Sequence, residues 1–301
     1  MNTSFSLSFV QPFRLDFTVW ALRRRSKNIV DLWNSKCYER LFIIENQSIK
    51  VSVEQKSNEN ILVSTNNKIN GVTKKKVTLL LEKMLGLNCE LNGFYKIARQ
   101  DPHLAPLVSQ FMGLKPPRFP SIFEALCNAI SCQLLSLDAG LQIQNRLIQH
   151  AGKHISINEK MFYAFPMPQD VASCSINELK KIGFSTRKSE ALIEISSAIS
   201  RNETIFDSLE DRSNEEIIKY LCQFKGIGRW SAEYVLLRGL RKIEIFPGDD
   251  VGAQNNLQQL MHHDKKLDYN EISKITKRWY PYAGFIYFHL VLQKLKKKGV
   301  L

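Results

Sequence analysis

Apolar residues along this chain keep two different periods. Near the N-terminus, RLDFTVWALR, ERLFIIENQSIKVSVEQ and NILVST are short runs rich in β-branched and aromatic residues, several of them alternating apolar and polar positions. A period of two places every second side chain on one face of a strand, and the clusters NQS, KSNEN and NNKING supply the turns. A small α+β domain over residues 1–95 is expected. From about Lys75 the spacing turns helical: VTLLLEKML keeps it, and PPRFPSIFEALCNAISCQLLSLDAGLQIQNRLIQHAG reads as a proline-marked start, two helices and a glycine stop. Residues 96–301 are expected to be all-helical, with no low-complexity tract and no true repeat. LKKIGFSTRKSEALIEIS only faintly echoes a later glycine turn.

Composition narrows the partner. A chain of 301 residues with 44% apolar residues is long enough to bury a core and to hold two domains. Its net charge of +13 favours a polyanionic partner, nucleic acid before ribosomal or membrane surfaces. Six cysteines are scattered without a C-x-x-C pair, and the last is Cys222. No iron–sulfur cluster is therefore expected, the histidines show no zinc spacing, and free thiols suit a reducing cytoplasm. MNTSFSLSFVQPFRLDF lacks the basic start and long apolar run of a signal peptide, and Phe285–Leu292 is too short to span a bilayer. A soluble cytoplasmic monomer is the expectation.

The candidate chemistry lies in NEEIIKYLCQFKGIGRWSAEYVLLRGL, about residues 214–240, and in the loop 245–251 that contains FPGDD. Gly226 and Gly228 make a tight turn beside a helix start, where backbone amides are free to meet a phosphate. A G-x-G alone is more often an ordinary helix corner. Asp250, just before VGAQNNLQQLM, reads first as a helix N-cap, and Trp230 and Tyr234, four apart on one helix face, read first as core aromatics. The basic runs Arg23–Arg25, Lys74–Lys76 and Lys294–Lys298 read as solvated faces that add salt-dependent affinity for DNA.

FKGIGRWSA followed by FPGDDV resembles the helix-hairpin-helix (HhH-GPD) DNA glycosylase superfamily, and within it the alkylbase glycosylases of the 3-methyladenine DNA glycosylase II type. FPSIFEALCNAISCQLLSLDAG, IGFSTRKSEAL, RWYPYAGFIYFHL and FRLDFTVWALRRRSKNIVDLW extend the resemblance over nearly the whole chain. It implies an N-terminal α+β domain similar to a TATA-binding-protein half, followed by an all-α glycosylase core that acts on double-stranded DNA containing damaged bases.

Residue by residue, the resemblance makes Asp250 catalytic, a carboxylate that stabilises the sugar cation as the N-glycosidic bond breaks. Trp230 and Tyr234 become the walls of the base pocket, and Gln133 and Leu134 the loop that wedges into the opened stack, with Leu134 as the wedge. Lys225, Gly226, Ile227, Gly228 and Arg229 become the phosphate-binding hairpin. The carbonyls of Phe224 and Ile227 become ligands of a monovalent cation, and no other cofactor is required. Trp230 stands where bifunctional members carry a lysine nucleophile, which implies a monofunctional enzyme that uses water.

Val291 stands where the family has a further pocket tryptophan. Tyr282, Phe285 and Phe288 are candidates to replace it, and helical spacing does not choose among them. With aromatic walls at Trp230 and Tyr234, selectivity for cationic 3-methyladenine and 7-methylguanine over uncharged lesions such as hypoxanthine is expected. Two alternatives stand beside this reading: a glycosylase of the same fold for oxidised purines such as 8-oxoguanine, and a non-catalytic DNA-binding module in which Asp250 is only a cap.

Overall fold

The alternating runs build one antiparallel sheet. In the computed structural model, which describes residues 2–301, strands β1 (Ser4–Ser8), β2 (Leu32–Trp33), β3 (Cys37–Ile44), β4 (Gln47–Gln55) and β5 (Asn60–Thr65) pair in the order β1-β5-β4-β3-β2. β3 and β4 form a hairpin around Glu45 and Asn46, both at positive φ (51° and 62°), as a two-residue turn matching strand twist requires. Ile49, Val51 and Val53 point alternately inward and are buried.

RLDFTVWALR does not form a strand. Leu15–Arg23 is a helix, α1. The run gave no clear period because it is buried on nearly every side: Val19 and Leu22 join one apolar cluster while Trp20 and Ala21 join the other.

The rest of the chain is mostly helical: α2 (Gly71–Leu85), α3 (Asn92–Gln100), α4 (Leu104–Gln110), α5 (Ile122–Cys132), α6 (Leu137–Ala151), α7 (Pro168–Ala172), α8 (Ile176–Lys181), α9 (Thr186–Arg201), α10 (Asn214–Leu221), α11 (Arg229–Gly239), α12 (Val251–Leu260), α13 (Tyr269–Lys277) and α14 (Ala283–Lys297). The expected domain boundary at 95/96 falls inside α3, whose Phe94, Tyr95 and Ala98 share a cluster with α14. A small hairpin, β6 (His154–Ile157) with β7 (Lys160–Tyr163), interrupts the helices, and Ala164 bridges to Leu41 of the sheet. No helix among the described residues is long and apolar enough to cross a membrane.

Two apolar clusters result. One joins the sheet and α2 to α5, α6, α9, α10 and the outer part of α11; the other joins the inner face of α1 to α3, α4, α12, α13 and α14. Tyr234 belongs to the first cluster and Ala253, whose amide Asp250 caps, to the second, so the predicted site residues lie on both sides of the line where the clusters meet.

Candidate active site

Three segments converge at that line. The first is the hairpin between α10 and α11. Ser213 caps α10 in a capping box with Glu216, and the chain turns at Gly226, whose φ is +83°. A Cβ at Gly226 would meet the Ala191 methyl of α9 at 2.9 Å, so backbone conformation and helix contact both call for glycine. Gly228, with open space around it, is the N-cap of α11 and leaves the first amides of that helix facing solvent.

The side chains expected to meet phosphate are engaged within the protein. Lys225 pairs with Glu190 at 2.8 Å, and Arg229 pairs with Glu233 at 2.9 Å and Glu215 at 3.2 Å. The Phe224 carbonyl accepts the Ile227 N–H at 3.1 Å.

The second segment is the loop between α5 and α6. Leu134 is fully exposed and holds φ at +55°, the left-handed region that costs an L-residue about 1–2 kcal/mol. The loop beneath it is pinned. The Gln133 side chain, which the sequence grouped with the wedge, instead turns inward: its Nε2 donates to the Gly226 carbonyl and to Ser231 Oγ, both at 2.9 Å. Lys188 of α9 donates to the carbonyls of Ser131 (3.1 Å) and Gln133 (2.7 Å), and burial holds its amine below the ordinary lysine value. Neither Lys188 nor Ser231 was read as a site residue, because their partners are backbone and amide groups that no motif marks.

The third segment carries Asp250. A Cβ at Gly284, the start of α14, would run into the carbonyls of Ile243 and Ile245, and the Gly284 amide donates to Ile243 at 2.7 Å. Further along, Gly248 lies under the ring of Tyr269, whose hydroxyl donates to Glu233 at 2.6 Å, and Gln254 donates to the Gly248 carbonyl at 2.9 Å. The loop is thus fixed at both ends. Asp250 Oδ1 accepts the Ala253 amide at 2.8 Å, the N-cap bond. Its other oxygen accepts no hydrogen bond among the described residues, so one carboxylate serves both as cap and as a free charge. Asp249, its exposed neighbour, caps nothing.

The pocket aromatics are arranged differently from expectation. Trp230 is half-buried, its ring 5.7 Å from that of Tyr234. Tyr234 is only 1% exposed, and its hydroxyl donates to Asn128 at 2.6 Å. It is buried and offers no free face. The ring that α14 directs to the site is Tyr287: Phe285 and Phe288 are buried in the core beside Phe94 and Arg238, and Tyr282 contacts Phe94. Tyr287 stands beside Phe246, and burial together with the Asp250 charge pushes its phenol well up. The sequence missed Tyr287 because an all-buried helix shows no face.

Beneath Tyr234 lie two arginines. Arg24 and Arg238 approach its ring at 5.8 and 5.7 Å. Arg23 and Arg24, read as part of a solvated run, are each 4% exposed. Arg24, in the left-handed conformation at the C-cap of α1, reaches Asn128 at 2.7 Å.

Residues 127–282 match the HhH-GPD superfamily of base excision DNA repair proteins. A Bacillus subtilis DNA-3-methyladenine glycosylase is 29% identical over 217 residues, covering 72% of each chain. The solved 3-methyladenine DNA-glycosylase from Archaeoglobus fulgidus superposes with a TM-score of 0.85 at 25% identity, over 96% of this chain and 97% of that one. A Schizosaccharomyces pombe 3-methyladenine DNA glycosylase bound to abasic DNA has a TM-score of 0.57 at 26% identity, over 66% and 95%. With more than half of its length inside the superfamily match, this chain belongs to the HhH-GPD superfamily of base excision DNA repair proteins.

Proposed function

We propose that this chain hydrolyses the N-glycosidic bond of alkylated purines turned out of duplex DNA, using water and no covalent intermediate. The observation that carries the reading is Leu134. A fully exposed leucine held at positive φ on a pinned loop gains nothing for the folded protein, and it suits a group that fills the gap left in a base stack. The relatives named above act on 3-methyladenine, which points to alkylated purines as the substrate class.

The steps follow from the three segments. Amides of Gly226 and Gly228 take a phosphate, the Ile227 amide being held by the Phe224 carbonyl, while Lys225 exchanges Glu190 and Arg229 exchanges Glu215 for the DNA backbone. The Lys225–Glu190 and Arg229–Glu215 pairs are exposed and worth at most about 1 kcal/mol each, so their exchange costs little, whereas the buried Glu233 keeps its bond from Arg229. The extruded base enters between Trp230 and Tyr287. As the bond breaks, its electron pair leaves with the base, and the free oxygen of Asp250 faces the sugar cation. Water then adds to the anomeric carbon, oriented or deprotonated by Asp250.

An indole at position 230 supplies no amine, and Lys225 is drawn to Glu190, which supports water over a lysine nucleophile. A monovalent cation, when bound, would sit on the carbonyls of Phe224 and Ile227. The Phe224 oxygen keeps one lone pair beside its bond from Ile227 and so fits that role.

The test is single-turnover excision from duplexes that each carry one lesion, with borohydride added in parallel. Release of 3-methyladenine and 7-methylguanine without a trapped adduct is expected. Faster release of 8-oxoguanine, or a borohydride-trapped band, would overturn the reading.

A further inference from the structure

Arg24 is a buried cation without a carboxylate partner. Its Nη2 donates to a neutral amide, Asn128, and its Nε has no hydrogen-bond partner among the described residues. Arg238 beside it donates only to the carbonyls of Ala21 and Leu22, with Nε and Nη1 unpartnered. Burial works against charge on Arg24, while Tyr234, Cys132, Tyr287 and Asp250 favour it. Tyrosine and cysteine are uncharged at neutral pH, so among those four Asp250 alone is an anion. An uncompensated guanidinium is costly to bury, and an aliphatic side chain would fill the same place without that cost. What distinguishes the position is that it lies over the Tyr234 ring, which is 5.7 Å from the ring of Trp230 and would form the floor of the proposed base pocket.

We propose that Arg24, delivered from the N-terminal region, sets the lesion range by favouring uncharged purines over cationic ones, an inference that rests on the glycosylase function above. The accounting is simple. When the glycosidic bond breaks, its electron pair goes to the base, so an uncharged purine departs as an anion and a cationic purine departs neutral. In both cases the base becomes more negative by one charge, and a cationic floor lowers both barriers alike. Binding differs: the floor repels a base that arrives positive and is indifferent to one that arrives neutral. Relative to free enzyme and DNA, Arg24 therefore always favours the uncharged lesion. The ring expected to attract a cationic base, Tyr234, already has two guanidiniums around it, so its cation–π capacity is not available to substrate.

The experiment compares hypoxanthine and 7-methylguanine in matched duplexes, measuring the single-turnover rate and the half-saturating enzyme concentration for wild type, Arg24→Met and Arg24→Lys. Wild type is expected to release both bases. Arg24→Met should slow the bound-state rate equally for the two lesions and bind the 7-methylguanine duplex more tightly. Its preference for hypoxanthine should fall about tenfold, the effect of one charge acting through several ångströms of partly wet protein. Arg24→Lys should keep most of the preference. Comparing two lesions on one protein cancels any loss of folded enzyme. An unchanged ratio in Arg24→Met, or a wild type that releases 7-methylguanine but no hypoxanthine, would overturn the role of Arg24. Wild type that releases neither base would instead remove the glycosylase reading itself.

Discussion

Two arginines from the N-terminal region reach helix α5 one turn apart, and they are treated in opposite ways. Arg40 of β3 meets Glu124 at 2.5 Å and Asp31 at 2.7 Å, and Asp31 also accepts the Tyr38 hydroxyl at 2.8 Å. Arg24 meets Asn128, four residues on, and no carboxylate. Both are almost fully buried. The Arg40 guanidinium is neutralised by carboxylates and ties sheet to helix. The second leaves a net charge beneath the cleft, where a changing charge on the substrate can respond to it. The difference teaches that burial alone does not mark an arginine as structural, and that the question to ask is what neutralises it.

That contrast can be broken by stability measurements. Arg40→Met should be the most damaging change, costing about 3–5 kcal/mol in denaturant unfolding, because Asp31 and Glu124 are left buried without their cation. Arg24→Met should cost no more than about 1 kcal/mol, since it removes an unpaired charge while Tyr234 still donates to Asn128. Equal losses in the two variants would erase the distinction.

The next effect in size belongs to the charge that Arg24 senses. Asp250→Asn should lower single-turnover excision by about 100- to 1000-fold, while the asparagine still caps α12 and stability stays near that of wild type. Undiminished excision would reduce Asp250 to a cap.

The smallest effect is expected at Leu134, which touches neither arginine. Leu134→Ala should slow excision from duplex DNA by about tenfold, as the lost support for an opened stack suggests, and change folding stability by less than about 0.5 kcal/mol. A single-stranded lesion affected as strongly as the duplex would argue against a wedge.

The glycine turn, the loop between α5 and α6 and the cap at Asp250 were legible because each is written in a few consecutive residues. A glycine at positive φ, a serine cap with its glutamate, and an aspartate before a helix impose their local geometry wherever the chain places them. The sheet was legible for the same reason, since a period of two survives in any context that buries one face. Where burial is all-round, the period disappears. Leu15–Arg23 read as a strand and α14 gave no hint that Tyr287, not its neighbours, turns to the site.

By itself, then, the sequence determined the local devices: the turn that offers amides, the loop that offers a leucine and the cap that offers a carboxylate. Only the tertiary structure decided what surrounds them. It buried Tyr234, turned Gln133 toward the hairpin, and brought Arg24 across 104 positions to Asn128 and Arg238 across 217 to Ala21. Turn and cap energies act over three or four residues, whereas the burial of a charge depends on every segment that packs around it, and no local pattern encodes that sum.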